Sequence, residues 1–130
     1  MASDQPAGRW FIDLDWLEQN NRSFLALARG CLCSKCTKRL KEGKGEISAA
    51  DLLSKIKDCC SKTPGFVTDR SPILESVFRL FLANGNQPLS LEGLSKQLAE
   101  RRGGDTQRTS VGVLSRLLRN ERYYGLRQVP

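Results

Sequence analysis

Residues 71–90 read SPILESVFRLFLANGNQPLS, and this stretch decides the fold. Ser71-Pro72 starts a helix, because proline at the first helical position gives up only an amide that had no partner. Ile73, Leu74, Val77, Phe78 and Phe81 recur at helical spacing as one apolar stripe. Leu80 and Leu82 widen that stripe enough for contact with more than one neighbouring element. The spacing predicts a central helix over 72–83, stopped by Asn84-Gly85. Asn86-Gln87-Pro88-Leu89 then makes a short extended link, and Ser90 caps the helix that follows.

Downstream, Leu91, Leu94 and Leu98 form the core side of that second helix, which runs to about Arg101. Gly103-Gly104-Asp105-Thr106 reads as a turn, after which either Thr109 or Ser110 caps a third helix running to about Arg119. Val111, Leu114, Leu117 and Leu118 make its buried face. At 100° per residue, Gly112, Ser115, Arg116 and Arg119 fall on roughly the opposite side. Arg101, Arg102 and Arg108 flank this helix in the preceding turn. Tyr123 to Val129 reads as a strand that can pair with the extended segment around Leu89.

Upstream, residues 1–8 are a small polar tail, and Arg9 to Leu14 forms a short strand or an extended arm laid on the core. Asp15, with Glu18 three residues on, has the capping-box pattern for a helix from Trp16. Leu17, Phe24, Leu25 and Ala28 supply its apolar face, and Gly30 ends it. Trp10, Phe11 and Trp16 read as packing for the arm or as an aromatic platform for a partner. Ser48 caps a further helix carrying Leu52, Leu53 and Ile56, which closes on Asp58-Cys59-Cys60. Lys62 to Arg70 is a connection that buries Phe66 and Val67. The expected organisation is a helical cysteine-rich region over 1–70 and a second domain over 71–130.

Five cysteines fall between positions 31 and 60, and the chain has no histidine. Cys33-Ser34-Lys35-Cys36 has a spacing that lets two sulfurs reach one tetrahedral ion while nearby amides donate to the thiolates. Lys35, Lys38, Arg39 and Lys41 crowd around it and offset the negative charge of a four-thiolate site. Cys59 and Cys60 point about 100° apart on a regular helix, so both can ligate one ion only if the last turn loosens. Pro64-Gly65 makes that loosening reasonable. Cys33, Cys36, Cys59 and Cys60 are therefore the candidate ligands of a structural zinc, with Cys31 as a spare thiol. Five reduced cysteines without metal, an iron–sulfur cluster and a thioredoxin-like pair are the other readings, the last two poorly matched by spacing and context.

Formal net charge is +7, and residues 29–44 and 101–130 each carry a surplus of five positive charges. Two separated basic blocks suit a polyanionic partner and salt-dependent binding. An odd cysteine count, with no export signal or long apolar run, points to a cytoplasmic protein with no membrane partner. Enzyme chemistry has little material: histidine is missing, Asp13 and Asp15 fit capping, and Gly103-Gly104 lacks the strand and lysine of a phosphate loop. A cysteine nucleophile at Cys31 or Cys33 would have no histidine partner. No small-molecule substrate is evident.

Helix, short strand, helix, turn, helix, strand is the order of a winged helix-turn-helix domain, and residues 71–129 resemble that superfamily. The expected fold class is mainly α, a winged-helix-like domain with a small helical, zinc-stabilised N-terminal part. The resemblance implies that the helix from about Ser110 to Arg119 is a recognition helix for duplex DNA, with Arg116 and Arg119 on its outward face and Arg108, Ser110 and Arg127 beside it. Lys35, Lys38 and Arg39 would form a second phosphate-contacting patch. As a whole the chain is similar to bacterial proteins of unknown function. The alternative is a non-enzymatic module for a protein partner or self-association, using Trp10, Tyr123 and Tyr124.

Overall fold

The computed structural model describes residues 8–42, 47–63, 65–68, 70–102 and 109–129. Along them run β1 (Arg9–Ile12), α1 (Leu14–Gln19), α2 (Phe24–Arg29), α3 (Ser34–Glu42), α4 (Ala49–Asp58) and a 3₁₀ turn (Cys60–Lys62). Then follow α5 (Ile73–Ala83), β2 (Leu89–Ser90), α6 (Leu91–Arg101), α7 (Val111–Arg119) and β3 (Leu126–Gln128). The architecture is mainly helical, with one small three-stranded sheet.

The apolar stripe of residues 73–83 makes α5 the centre of the core. Val77, Phe78, Leu80, Phe81 and Leu82 are all buried, and α5 touches α4, α6, β1 and the 3₁₀ turn. Each such side chain contributes about 1.5–3 kcal/mol by leaving water. The helix begins one residue later than the sequence suggests. Pro72 takes the cap position with extended backbone, and Ser71 makes no cap. The Ser71 carbonyl instead accepts a hydrogen bond from Arg102 Nη1 at 2.8 Å.

Ser48, Ser90 and Ser110 cap α4, α6 and α7 through their hydroxyls, accepting from Asp51, Gly93 and Val113 amides at 3.1, 3.1 and 3.4 Å. Near the N-terminus the expected single helix from Trp16 is two short ones. Asp13, not Asp15, caps α1, accepting from Trp16 N–H at 3.1 Å. Asn21 then turns the chain with φ 57°, and Ser23 starts α2 by accepting from Ala26 N–H at 3.1 Å. A left-handed asparagine followed by a new cap costs less than carrying the polar Asn20-Asn21 pair through a helix interior.

The sheet corrects a second expectation. Its order is β2-β1-β3, so the C-terminal strand pairs with β1 and not with the Leu89 segment. Trp10 lies opposite Leu89 on one side and Gln128 on the other, and both pairings are antiparallel. The middle position goes to β1 because its Ile12 is fully buried and its ends are tied on both sides. The Asn86 side chain accepts from Ile12 N–H (2.8 Å) and donates to Ile12 carbonyl (2.9 Å), acting as one more strand residue. Asp13 N–H donates to the Gly125 carbonyl at 2.8 Å. One hydrophobic cluster therefore runs from Ile12 through α4 and α5 to Leu118 and Leu126.

Candidate metal centre and basic helix face

The cysteine centre is assembled from two helix ends. Cys33 stands just before α3, and its carbonyl accepts from the Thr37 amide and hydroxyl at 2.9 and 3.0 Å. Cys36 lies in the first turn of the same helix. At the other end, Cys59 closes α4 with φ −125° and ψ −65°, and Cys60 opens the 3₁₀ turn. The regular helix thus breaks between the two adjacent cysteines, the loosening that a shared ion requires. A Lys62 amide donating to the Cys59 carbonyl at 3.1 Å tightens the new turn.

The four sulfurs of Cys33, Cys36, Cys59 and Cys60 all lie within 4.8 Å of one another. Thiolates at 2.3 Å from one tetrahedral ion sit about 3.8 Å apart. Cys33 to Cys59 is 3.9 Å and Cys33 to Cys60 is 3.4 Å, so the set fits a single metal ion. All five cysteines are free thiols. The backbone also prepares the site, since Cys33 N–H donates to Cys60 Sγ at 3.3 Å.

The thiols are unequal. The Cys36 amide at the start of α3 donates to Cys33 and, with the hydrogen bond from Cys60, lowers the Cys33 pKa to about 6. Burial pushes Cys36 up to about 12 and raises Cys60 as well. A divalent ion reverses that burial cost by stabilising each thiolate directly. Beside the sulfurs a cavity of about 270 Å³ is lined by Cys36, Arg39, Ser54, Lys55, Asp58 and Cys59. Arg39 and Lys55 offset the double negative charge that four thiolates and a divalent ion would carry. Cys31 stays outside the cluster, buried, its Sγ 3.8 Å from the Leu27 carbonyl, and burial raises its pKa.

The other sequence-predicted site residues divide by position. On α7, Leu114 and Leu118 are buried, while Gly112, Arg116 and Arg119 are exposed. Arg119 Nη2 donates to Ser115 Oγ at 3.2 Å, one turn back on the same face. Ser110 is half-buried and spends its hydroxyl on the helix cap. Lys35, Lys38 and Arg39 are exposed along α3. Arg127 is half-buried, stacked over the Trp16 ring at 5.1 Å, with Nη1 3.4 Å from the Glu121 carbonyl. Arg108 lies outside the described residues. Arg102 faces inward: it is 2% exposed, and Nη1 donates to the Thr68 and Ser71 carbonyls and Ser76 Oγ, each at 2.8 Å. Its guanidinium joins Thr68 and Ser71 to Ser76 on α5 and is turned away from the surface.

Two positioning residues had no signal in the sequence. Glu121, 2% exposed, accepts from the amides of Tyr123, Tyr124 and Leu126 and so shapes the turn between α7 and β3. Asn86 fastens β1 as described above. Of the aromatic residues, Trp10 and Tyr124 pack against the core, and Tyr123 is 49% exposed with Arg22 over its ring at 4.7 Å. No described helix is long and apolar enough to cross a membrane. No protein-family model, curated protein or solved structure matches the chain, so its site is read from its own residues.

Proposed function

We propose that this protein is a non-enzymatic, regulator-like DNA-binding protein of winged helix-turn-helix type, anchored by a structural zinc ion. The observation that carries this reading is the polarity of α7. Leu114 and Leu118 are 0% and 1% exposed, while the opposite face offers Gly112, Arg116 and Arg119 to solvent. A small residue near the helix start allows close approach, and the two guanidinium groups suit phosphate oxygens or base edges. Zinc is favoured by four thiolate donors at tetrahedral spacing. Cys33 and Cys36 would hold it from α3, and Cys59 and Cys60 from α4, the ion supplying a crosslink between the two helices. That crosslink fixes Lys35, Lys38 and Arg39 as a second cationic patch for phosphates. Five free thiols suit a reducing compartment, the cytoplasm.

The test is fluorescence anisotropy with a labelled random duplex between 0.05 and 0.2 M salt. Micromolar or tighter binding at the low end is expected. Replacing Arg116 and Arg119 by glutamine removes two phosphate contacts, lowering the slope of log K against log salt by about 1.8 and the affinity about 60-fold at 0.1 M. Unchanged binding in the double variant refutes the assignment of this face. The alternative, a protein-interaction or self-association module, draws support from the half-exposed Tyr123 ring. It predicts a concentration-dependent mass or a captured partner that Tyr123→Ala abolishes.

A further inference from the structure

The fifth cysteine, which the metal set leaves unused, lies in a second cavity of about 230 Å³ where α2 and α5 meet the turn before β3. One wall is aromatic, with Tyr123 and Tyr124 at its surface and the buried Phe78 packed behind Tyr124. Phe78 and Tyr124 have ring centroids 5.0 Å apart, and Tyr123 meets Tyr124 edge-on at 4.8 Å. Ala26, Leu27 and Cys31 face this wall from α2 and the turn after it. The charged members are Glu75 and Arg79, which neutralise each other through an ion pair of 3.2 Å. Glu75 uses Oε2 in that pair, and its Oε1 has no protein partner among the described residues.

We propose that this cavity binds a neutral bicyclic heteroaromatic molecule bearing a ring N–H, of indole or purine size. Volume bounds the size. A sealed apolar cavity of about 150 Å³ takes one benzene, and this open cleft of about 230 Å³ has room for a second fused ring with one edge in solvent. Aromatic walls favour a planar body by stacking and edge-to-face contact. Charge disfavours a cationic ligand, because Glu75 and Arg79 neutralise each other and Arg22 lies over the Tyr123 ring at the edge. Glu75 Oε1 supplies the acceptor for the ring N–H, a charge-assisted hydrogen bond that fixes orientation. The Cys31 thiol contributes a soft, polarisable contact at the inner side. The proposal is independent of DNA binding and stands or falls separately.

The experiment is a titration of the full-length, metal-loaded chain followed by amide NMR shifts. The probes are indole, hypoxanthine and benzofuran, the last matching indole in shape without the N–H. Saturable shifts at Ala26, Gly30, Arg79 and Tyr124 are expected, with a dissociation constant of about 0.1–1 mM for indole or hypoxanthine. Tighter indole assigns an apolar ligand, tighter hypoxanthine a purine-like one. Benzofuran and the Glu75→Ala variant should each weaken binding about fivefold or more. Ala26→Trp, at an exposed position on the rim, fills the mouth without touching the core and should weaken it at least tenfold. The proposal is overturned by the absence of saturable shifts for both N–H probes. It is equally overturned by wild-type affinity in a folded Ala26→Trp variant, or by benzofuran binding as tightly as indole.

Discussion

Removing the metal should cost the protein a defined part of its stability, and the structure sets the amount. The ion would join Cys36 to Cys59, closing a loop of 24 residues counted inclusively. In the chain-entropy treatment of crosslinks, a loop of that size is worth about 3.4 kcal/mol of unfolded-state freedom. Deprotonating the buried thiols of Cys36 and Cys60 draws on the metal's own affinity, so the net effect of chelation is of that order or larger at neutral pH. For a chain of this length, about 3–5 °C of melting temperature corresponds to each kcal/mol. A fall of about 10–15 °C is therefore expected when a strong chelator is present during a circular dichroism melt. Cys60→Ser should reproduce the fall without chelator and lower the metal content. Cys31→Ser should leave the metal stoichiometry at one per chain. If the chelated protein melts within about 2 °C of the loaded one, or if Cys31→Ser strips the metal, the four-cysteine clamp is wrong.

Two glycines offer opposite tests in one assay. Gly125 has φ +72°, and an added Cβ would lie 2.6 Å from Leu17 Cγ, so Gly125→Ala should destabilise by about 2–4 kcal/mol in urea melts. Gly112 sits exposed on α7 with nothing within 4 Å, so Gly112→Ala should stabilise by about 0.5–1 kcal/mol. If α7 approaches DNA closely there, the same change weakens duplex binding while raising stability, a combination that mere unfolding cannot produce. Glu121→Ala leaves the amides of Tyr123, Tyr124 and Leu126 without their carboxylate acceptor, and about 3–6 kcal/mol should be lost, read by the same melts. In metal-free protein, Cys36 and Cys60 have pKa values raised above the ordinary 9.0. The unfolded chain then ionises first, so stability present below pH 9 should fall as pH rises above it, through about 12 for Cys36. Cys33, lowered to about 6, works the other way, with stability gained as pH rises from 6 toward 9. Melts against pH with chelator present test both limbs, and metal should flatten the alkaline one.

What could be read from the sequence follows from where the information sits. Ser48, Ser90 and Ser110 cap helices through amides three residues on, a local interaction that spacing alone reveals. The stripe on α5 and the two-sided pattern of α7 are likewise properties of one helix. The metal centre was legible because Cys33 and Cys36 have ligand spacing within one segment, and the awkward Cys59-Cys60 pair made a geometric demand that the break at Cys59 meets. Long-range choices left no such mark. Either extended segment, Arg9–Ile12 or that around Leu89, could pair with the last strand, and the choice follows from contacts no local pattern shows: the burial of Ile12, its bonds to Asn86 across 74 positions, and the Asp13–Gly125 tie. Arg102 and Arg127 are indistinguishable in sequence from surface cations, yet one is enclosed by carbonyls and the other lies on an indole.

These hidden contacts link the two ends of the chain. β1 lies between strands that follow α5 and α7, so the N-terminal segment is held by the same elements that orient the basic helix. Gly125, Asp13 and Leu17 meet at that junction through the 2.8 Å bond from Asp13 N–H to the Gly125 carbonyl and the close approach of Leu17. Glu121 fixes the turn leading into it. Stability of the α7–β3 turn is thus coupled to the presence of β1 and α1, whereas the cysteine centre lies at the far end of α4, and among the described residues its main packing path to α7 runs through α5 and α6. The clamp and the turn are separate supports: losing the metal should loosen α3 and α4 first, and losing Glu121 should loosen β3 and the end of α7 first. Amide hydrogen exchange on the chelated protein and on Glu121→Ala should therefore show two different protection losses, and identical maps would mean that the chain opens as one unit.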